Sequence, residues 1–223
     1  MLHGTNVIAD RVQALDAALR SLDTYGLLLL SDASLPSVIG LIAGEPLHRS
    51  WWGHPLGGVM YHVLSALEDR PEVLATKLIG GKVTYIHRRL WPAVFAVATA
   101  RDAWQLAGLS PAAAWLLAET DAEGEVQTSD LVLPAHLNPA RQGLPQAARD
   151  LERRLLVNAT EIHTPTGAHA KVLETWSHWA QRTQNFGATD VSASDGKRLL
   201  EDAAADLGRA GRSVALPWQR PRR

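Results

Sequence analysis

Gln146, Arg149 and Arg153 follow one another at intervals of three and four residues, so on a helix they share one face. Arginine and glutamine on such a face offer the paired donors and acceptors that read guanine and adenine edges in a DNA major groove. The opposite face carries Leu144, Ala147, Ala148, Leu151 and Leu155, an apolar stripe at helical spacing. Arg154 lies to one side, where it can touch a phosphate. The competing assignment is a solvated face on which Arg149 and Arg153 pair with Asp150 or Glu152.

Directly after this helix, Leu156 to His163 alternates and carries β-branched residues, the sequence TPTGA turns the chain, and His169 to Thr175 returns. His163, Thr164, Thr166, His169 and Lys171 cluster around that hairpin, where such residues contact phosphates or a minor groove. The competing assignment is an exposed turn. Two histidines flanking a turn can also begin a metal site. With no third ligand placed by the sequence, neither a metal nor another cofactor is expected.

A second basic group is Lys77, Lys82, His87, Arg88 and Arg89. It brackets two extended runs, Val73 to Ile79 and Lys82 to His87, joined by Gly80-Gly81, and predicts a second hairpin with phosphate-contacting cations or simply soluble edges. A third group, Trp51, Trp52 and His54 in SWWGHPLGG, offers either a base-stacking surface or an aromatic-packed turn.

The elements that must hold these residues are mostly helical. Asp10 to Tyr25 predicts a helix with the stripe Val12, Leu15, Ala18, Leu19 and Leu22, ended by Gly26; Leu35 to Ala43 and Val59 to Glu68 predict two more. In the second half, Ser110-Pro111 opens a helix running to about Thr120, Glu125 to Gln127 suits a short strand, and Thr128 or Ser129 can cap a short helix through Leu131. Helix, strand, helix, helix, hairpin is the order of a winged helix. The expected fold is therefore α+β and mostly helical, with two winged-helix-like units packed together, residues 1–106 and 107–182. Residues 183–223 follow: a small, polar linker from Phe186 to Gly196, a short helix from Ser194 to Arg209 capped by Ser194 or Asp195, and a tail expected to be mobile except at Trp218, which can dock into a groove. The helix face of Gly58, His62, Ser65 and Asp69 lacks arginine and lysine, so the first unit is expected to be a scaffold or self-association surface rather than a groove reader.

Composition narrows the function. The chain has 223 residues, of which 46% are apolar, and a formal charge of −1. A neutral balance confines any nucleic-acid footprint to a local patch. The absence of cysteine excludes disulfides, zinc fingers, iron–sulfur clusters and a thiol nucleophile. The opening residues carry acids and no apolar core, so no secretory leader is expected. The apolar run at Gly26 to Leu30 falls far short of the roughly 20 residues that span a bilayer, so no membrane association is expected either. A cytoplasmic protein is the expectation, nucleoid-associated if it binds DNA. No Gly-x-Ser-x-Gly, phosphate-binding glycine loop or His-Glu-x-x-His is present.

The paired winged-helix order, the GEVQTSDL segment and the LERRLLV exit of the 144–155 helix resemble the AlkZ/YcaQ-like group of helix-turn-helix proteins, which includes DNA glycosylases that excise alkylated or crosslinked bases. The resemblance implies double-stranded DNA as partner and a regulatory or DNA-damage-handling role. It implies base excision only where a Gln-x-Gln or Gln-x-Asp motif is present. Here Gln181-Arg-Thr-Gln184 has a different spacing. Glycosylase activity and a protein–protein module are the alternatives to non-enzymatic DNA binding.

Overall fold

The computed structural model describes residues 7–48, 50–137, 143–163, 169–183, 190–208 and 214–219. Among the described residues the fold is α+β, 55% helical, with two small antiparallel three-stranded sheets. The chain divides into two compact units. One is drawn from residues up to Trp91 and from Lys197 onward; the other runs from Pro92 to Gly196. This division differs from the expected boundary at 106 and from a separate segment after 182.

The first unit opens with α1 (Arg11–Tyr25). The Asp10 side chain caps its start by accepting from Gln13 N–H at 2.9 Å, and Gly26, at φ 76°, ends it. Ala14, Ala18 and Leu22 are its buried stripe, whereas Val12, expected on that stripe, is 68% exposed. The apolar face is thus set further round the helix than the sequence pattern suggests. Strand β1 (Leu27–Leu29), α2 (Val38–Ala43), α3 (Gly57–Glu68), β2 (Val73–Lys77) and β3 (Val83–His87) come next. The sheet order is β1-β3-β2, with Leu27 opposite Ile86 and Val73 opposite His87. Gly80 and Gly81, at φ 63° and 73°, turn β2 into β3 as their sequence predicts, because both positions are left-handed. Ile39, Ile42, Met60, Val63, Leu67 and Tyr85 fill the core between the three helices and the sheet.

The second unit contains most of α4 (Trp91–Thr99), then α5 (Ala103–Leu106), α6 (Pro111–Glu123), β4 (Glu125–Gln127), α7 (Gly143–Arg153), β5 (Asn158–His163), β6 (His169–Glu174) and α8 (Trp176–Arg182). Ser110 caps α6 by accepting from Ala113 N–H at 3.1 Å. The short helix expected at 129–131 is absent. The Gln127 side chain bonds Ser129 and Asp130 and closes a turn there, and the next helical residues are a 3-10 turn at Ala135–Leu137. The sheet order is β4-β6-β5, again first, third, second. Ala113, Leu116, Ala148, Leu151, Leu156, Val157 and Leu173 form the core. The turn expected at 164–168 lies outside the described residues.

Helix α9 (Ala193–Leu207) crosses the boundary between the units. It is capped by Ser192, whose hydroxyl accepts from Asp195 N–H at 3.1 Å, rather than by Ser194 or Asp195. Trp218, the tail residue expected to dock, donates through Nε1 to Glu201 at 2.7 Å, and its neighbours are held in the first unit too: Leu216 is buried and Ala215 O accepts from Gly80 N–H. Gly196, expected to end a linker, is a buried contact residue. A Cβ there would lie 2.7 Å from Ala93 O and 3.1 Å from Val97 Cγ2. Alanine normally gains up to about 1 kcal/mol over glycine inside a helix. Here the clash with backbone wins, and Gly196→Ala is expected to cost about 2 kcal/mol. A thermal melt checks this, and an unchanged or raised midpoint would contradict it.

Candidate nucleic-acid interface

Helix α7 buries Ala147, Ala148 and Leu151 against its unit and leaves Arg149 and Arg153 exposed. Its first turn begins at Gly143, at φ 65°, and its end is marked by Leu155, a non-glycine residue at φ 53°. Arg149 donates to Gln146 Oε1 at 3.0 and 3.3 Å, so these two residues form one outward polar group. Arg153 makes no ion pair among the described residues. The acids of α7 are engaged elsewhere. Asp150 accepts from Arg154 Nε at 2.9 Å, and Glu152 turns inward and takes Lys171 Nζ at 2.6 Å. The expected neutralisation of Arg149 and Arg153 by Asp150 or Glu152 is therefore not the arrangement found.

The same contacts engage two residues of the expected footprint. Arg154 also donates to Gln105 O and Ala107 O at 3.0 and 2.9 Å, which ties it into the joint between α5 and α7. Lys171 lies across β6 against buried Glu152, with Glu161 at 3.9 Å. The backbones of His163 and His169 face each other at the end of the β5–β6 ladder. Thr164 and Thr166 lie outside the described residues.

In the first unit, Lys82 Nζ binds Asp32 at 2.6 Å. Burial alone would raise the Asp32 carboxyl, but Lys82, Ser34 and the Ser34 and Leu35 amides overcome it and hold it at about 2. Arg89 donates to the last carbonyls of α1, at Asp23 and Thr24, and so serves as that helix's C-terminal cation. His87 accepts from Arg89 N–H, and burial together with Arg89 lowers its pKa. Lys77 closes β2 opposite Val83, and Arg88 is exposed in a 3-10 turn at Arg88–Leu90. Trp51 stacks on Trp52 with ring centroids 4.2 Å apart, and His54 Nδ1 accepts from Leu56 N–H.

A cluster not anticipated from the sequence joins Glu125, Glu174 and His178, whose ligand-type atoms all lie within 4.8 Å of one another. Glu174 is buried and accepts from Asn158 Nδ2 at 2.9 Å and Arg182 Nη2 at 2.7 Å on one oxygen. On the other it meets Arg182 Nε and His178 Nδ1, each at 3.2 Å. Burial pushes the Glu174 pKa up, and the Arg182, Asn158 and His178 bonds more than reverse that, so the carboxylate stays ionised below its ordinary range. A cation would have to displace a guanidinium already spanning both oxygens. These residues suit an ion-pair network that fastens α8 to the sheet better than they suit a metal centre.

No family model, curated protein or solved structure matches this chain. Its own side chains carry the assignment. Sequence reasoning missed Gln105, because a buried polar residue in a four-residue helix has no periodic signature. It also missed Tyr61, although its position off the Met60, Val63, Leu64, Leu67 stripe was a readable signal.

Proposed function

We propose that the chain binds double-stranded DNA through α7, with Gln146, Arg149 and Arg153 entering the major groove and the β5–β6 hairpin beside the backbone. A regulatory or DNA-damage-handling role is the matching biological setting. The observation that carries this reading is the outward Arg149/Arg153 pair on a helix whose own acids are bound elsewhere. Support also comes from element order. In both units a helix and a strand precede a further helix and a hairpin, and both sheets run first, third, second. That is the order expected of winged helices, in which the helix before the hairpin is the groove reader.

With Lys171 and Arg154 held within the second unit, and exposed Lys82 and Arg89 engaged by Asp32 and by the end of α1, the electrostatic footprint is small. Two outward arginines predict a dependence of log affinity on log salt with a slope of about −2. In a mobility-shift titration across salt concentrations, Arg149→Ala/Arg153→Ala is expected to flatten that slope toward zero and weaken binding on the order of tenfold at low salt. Unchanged affinity and slope in the double variant would overturn the proposal.

A further inference from the structure

Trp52 and Tyr61 are the two large aromatic residues that the first unit leaves open to solvent, at 69% and 58% exposure. Their surroundings are specific. Trp51 packs against the core of the unit and stacks under Trp52 at 4.2 Å and 22°. One face of the Trp52 ring is thereby supported and the other is open. Tyr61, on α3, stands 6.2 Å away at 41°, an open-sided wall to the same platform. The platform is held from below. The start of α3 lies so close to the 3-10 turn of Trp51–Gly53 that a Cβ on Gly57 would meet Trp52 O at 3.3 Å and Trp51 O at 3.4 Å. Its rim is bare, since a Cβ on Gly53 or Gly58 would meet nothing within 4 Å.

Charge and shape decide what can sit there. Residues 50–62 contain no Asp, Glu, Lys or Arg. A surface of two uncharged rings tilted 41° to each other cannot track a phosphate backbone. It matches the face of one planar, uncharged ring, and stacking of that kind is indifferent to sequence. A protein interface would need its apolar surface to continue outward. Here Gly53, His54, Gly58 and His62 flank the rings, and the aliphatic Leu56 and Val59 of the same stretch are half-buried against the core. We infer that Trp52, backed by Trp51 and walled by Tyr61, is a stacking site for a single unpaired nucleobase. The choice of a nucleobase among planar rings rests on the proposed nucleic-acid function. The site differs from α7 in chemistry: α7 supplies charge for paired DNA, and this platform supplies a ring face for a base outside a stack.

The test uses the full chain and a short single-stranded oligonucleotide carrying one 2-aminopurine, with the fully paired duplex of the same sequence as the second probe. Wild type is expected to quench the single-stranded probe on binding. Trp52→Ala is expected to weaken that binding about tenfold, within the range measured for loss of one base–aromatic stack, and to leave duplex affinity unchanged. Trp52→Phe keeps a ring and is expected to retain most of the binding. Matching far-ultraviolet circular dichroism of the variants confirms that the unit is folded. Equal single-strand affinity of wild type and Trp52→Ala overturns the inference, as does absence of quenching by wild type. A concentration-dependent dimer in light scattering that Trp52→Ala abolishes would also overturn it, in favour of self-association. The two readings fail separately. Duplex binding lost in Arg149→Ala/Arg153→Ala without any base stacking sinks only the platform. Stacking without arginine-dependent duplex binding sinks only the groove reader.

Discussion

Lys171→Ala is expected to destabilise the second unit by about 3 kcal/mol, the lower end of the cost of removing one partner from a buried ion pair. The reason is geometric. Glu152 is 4% exposed, and its Oε2 lies 2.6 Å from Lys171 Nζ. Glu161 is 3.9 Å from the same ammonium but lies out in solvent and contributes little. Without the lysine, the buried Glu152 carboxylate loses the cation that offsets its burial. Urea denaturation followed by tryptophan fluorescence measures the loss; a change below about 1 kcal/mol would mean that water reaches Glu152. Glu152→Leu/Lys171→Met removes both charges and is expected to regain most of the stability. That variant also separates two roles for Lys171. If the lysine serves the fold alone, the folded double variant binds duplex DNA with an unaltered salt slope.

The second large effect concerns the joint where α7 ends. Gln105 is fully buried, its Oε1 accepts from Asp102 N–H, and its Nε2 reaches Ala98 O at 3.0 Å and Arg154 O at 3.2 Å. The next residue after Arg154, Leu155, sits at φ 53°, which costs a leucine about 1 kcal/mol, and its carbonyl accepts from Trp176 Nε1 at 2.9 Å. Gln105→Leu keeps the volume and removes the donors. The carbonyls of Ala98 and Arg154, the second part-buried, then lose a donor at about 1–3 kcal/mol each, so a total of about 3 kcal/mol is expected. Thermal melting gives the magnitude. Hydrogen exchange should accelerate first around residues 154–158, where α7 hands over to β5. Uniform exchange across the unit would show that Gln105 is not specific to this joint.

These side chains also show what a sequence can and cannot disclose. Helix ends were legible wherever a cap is local: Asp10 and Gly26 bound α1, and Ser110-Pro111 opens α6, because the partner lies within four residues. The Gly80-Gly81 turn was legible from its adjacent glycines, and the β5 and β6 strands from their alternation and β-branched residues. The inward face of α7 came from spacing alone, as did the exposure of Arg149 and Arg153. What spacing cannot give is the partner of a charge. Lys171 and Glu152 are 19 residues apart and Lys82 and Asp32 are 50 apart, so cations that look available in the sequence are already engaged in the fold. Close approaches are equally hidden. Gly196 reads as linker because Ala93, the residue it must touch, lies far earlier in the chain.

The discontinuity of the first unit bears on how the chain is made. Its second segment begins at Lys197, after every residue of the other unit has been synthesised. The second unit is one uninterrupted run and can condense as it leaves the ribosome. Its neighbour must wait for α9 and Trp218 to emerge, although its first 91 residues come out earlier. The half translated first is thus the half completed last, and until then Gly80 N–H waits for Ala215 O, which comes more than 130 residues later in the chain.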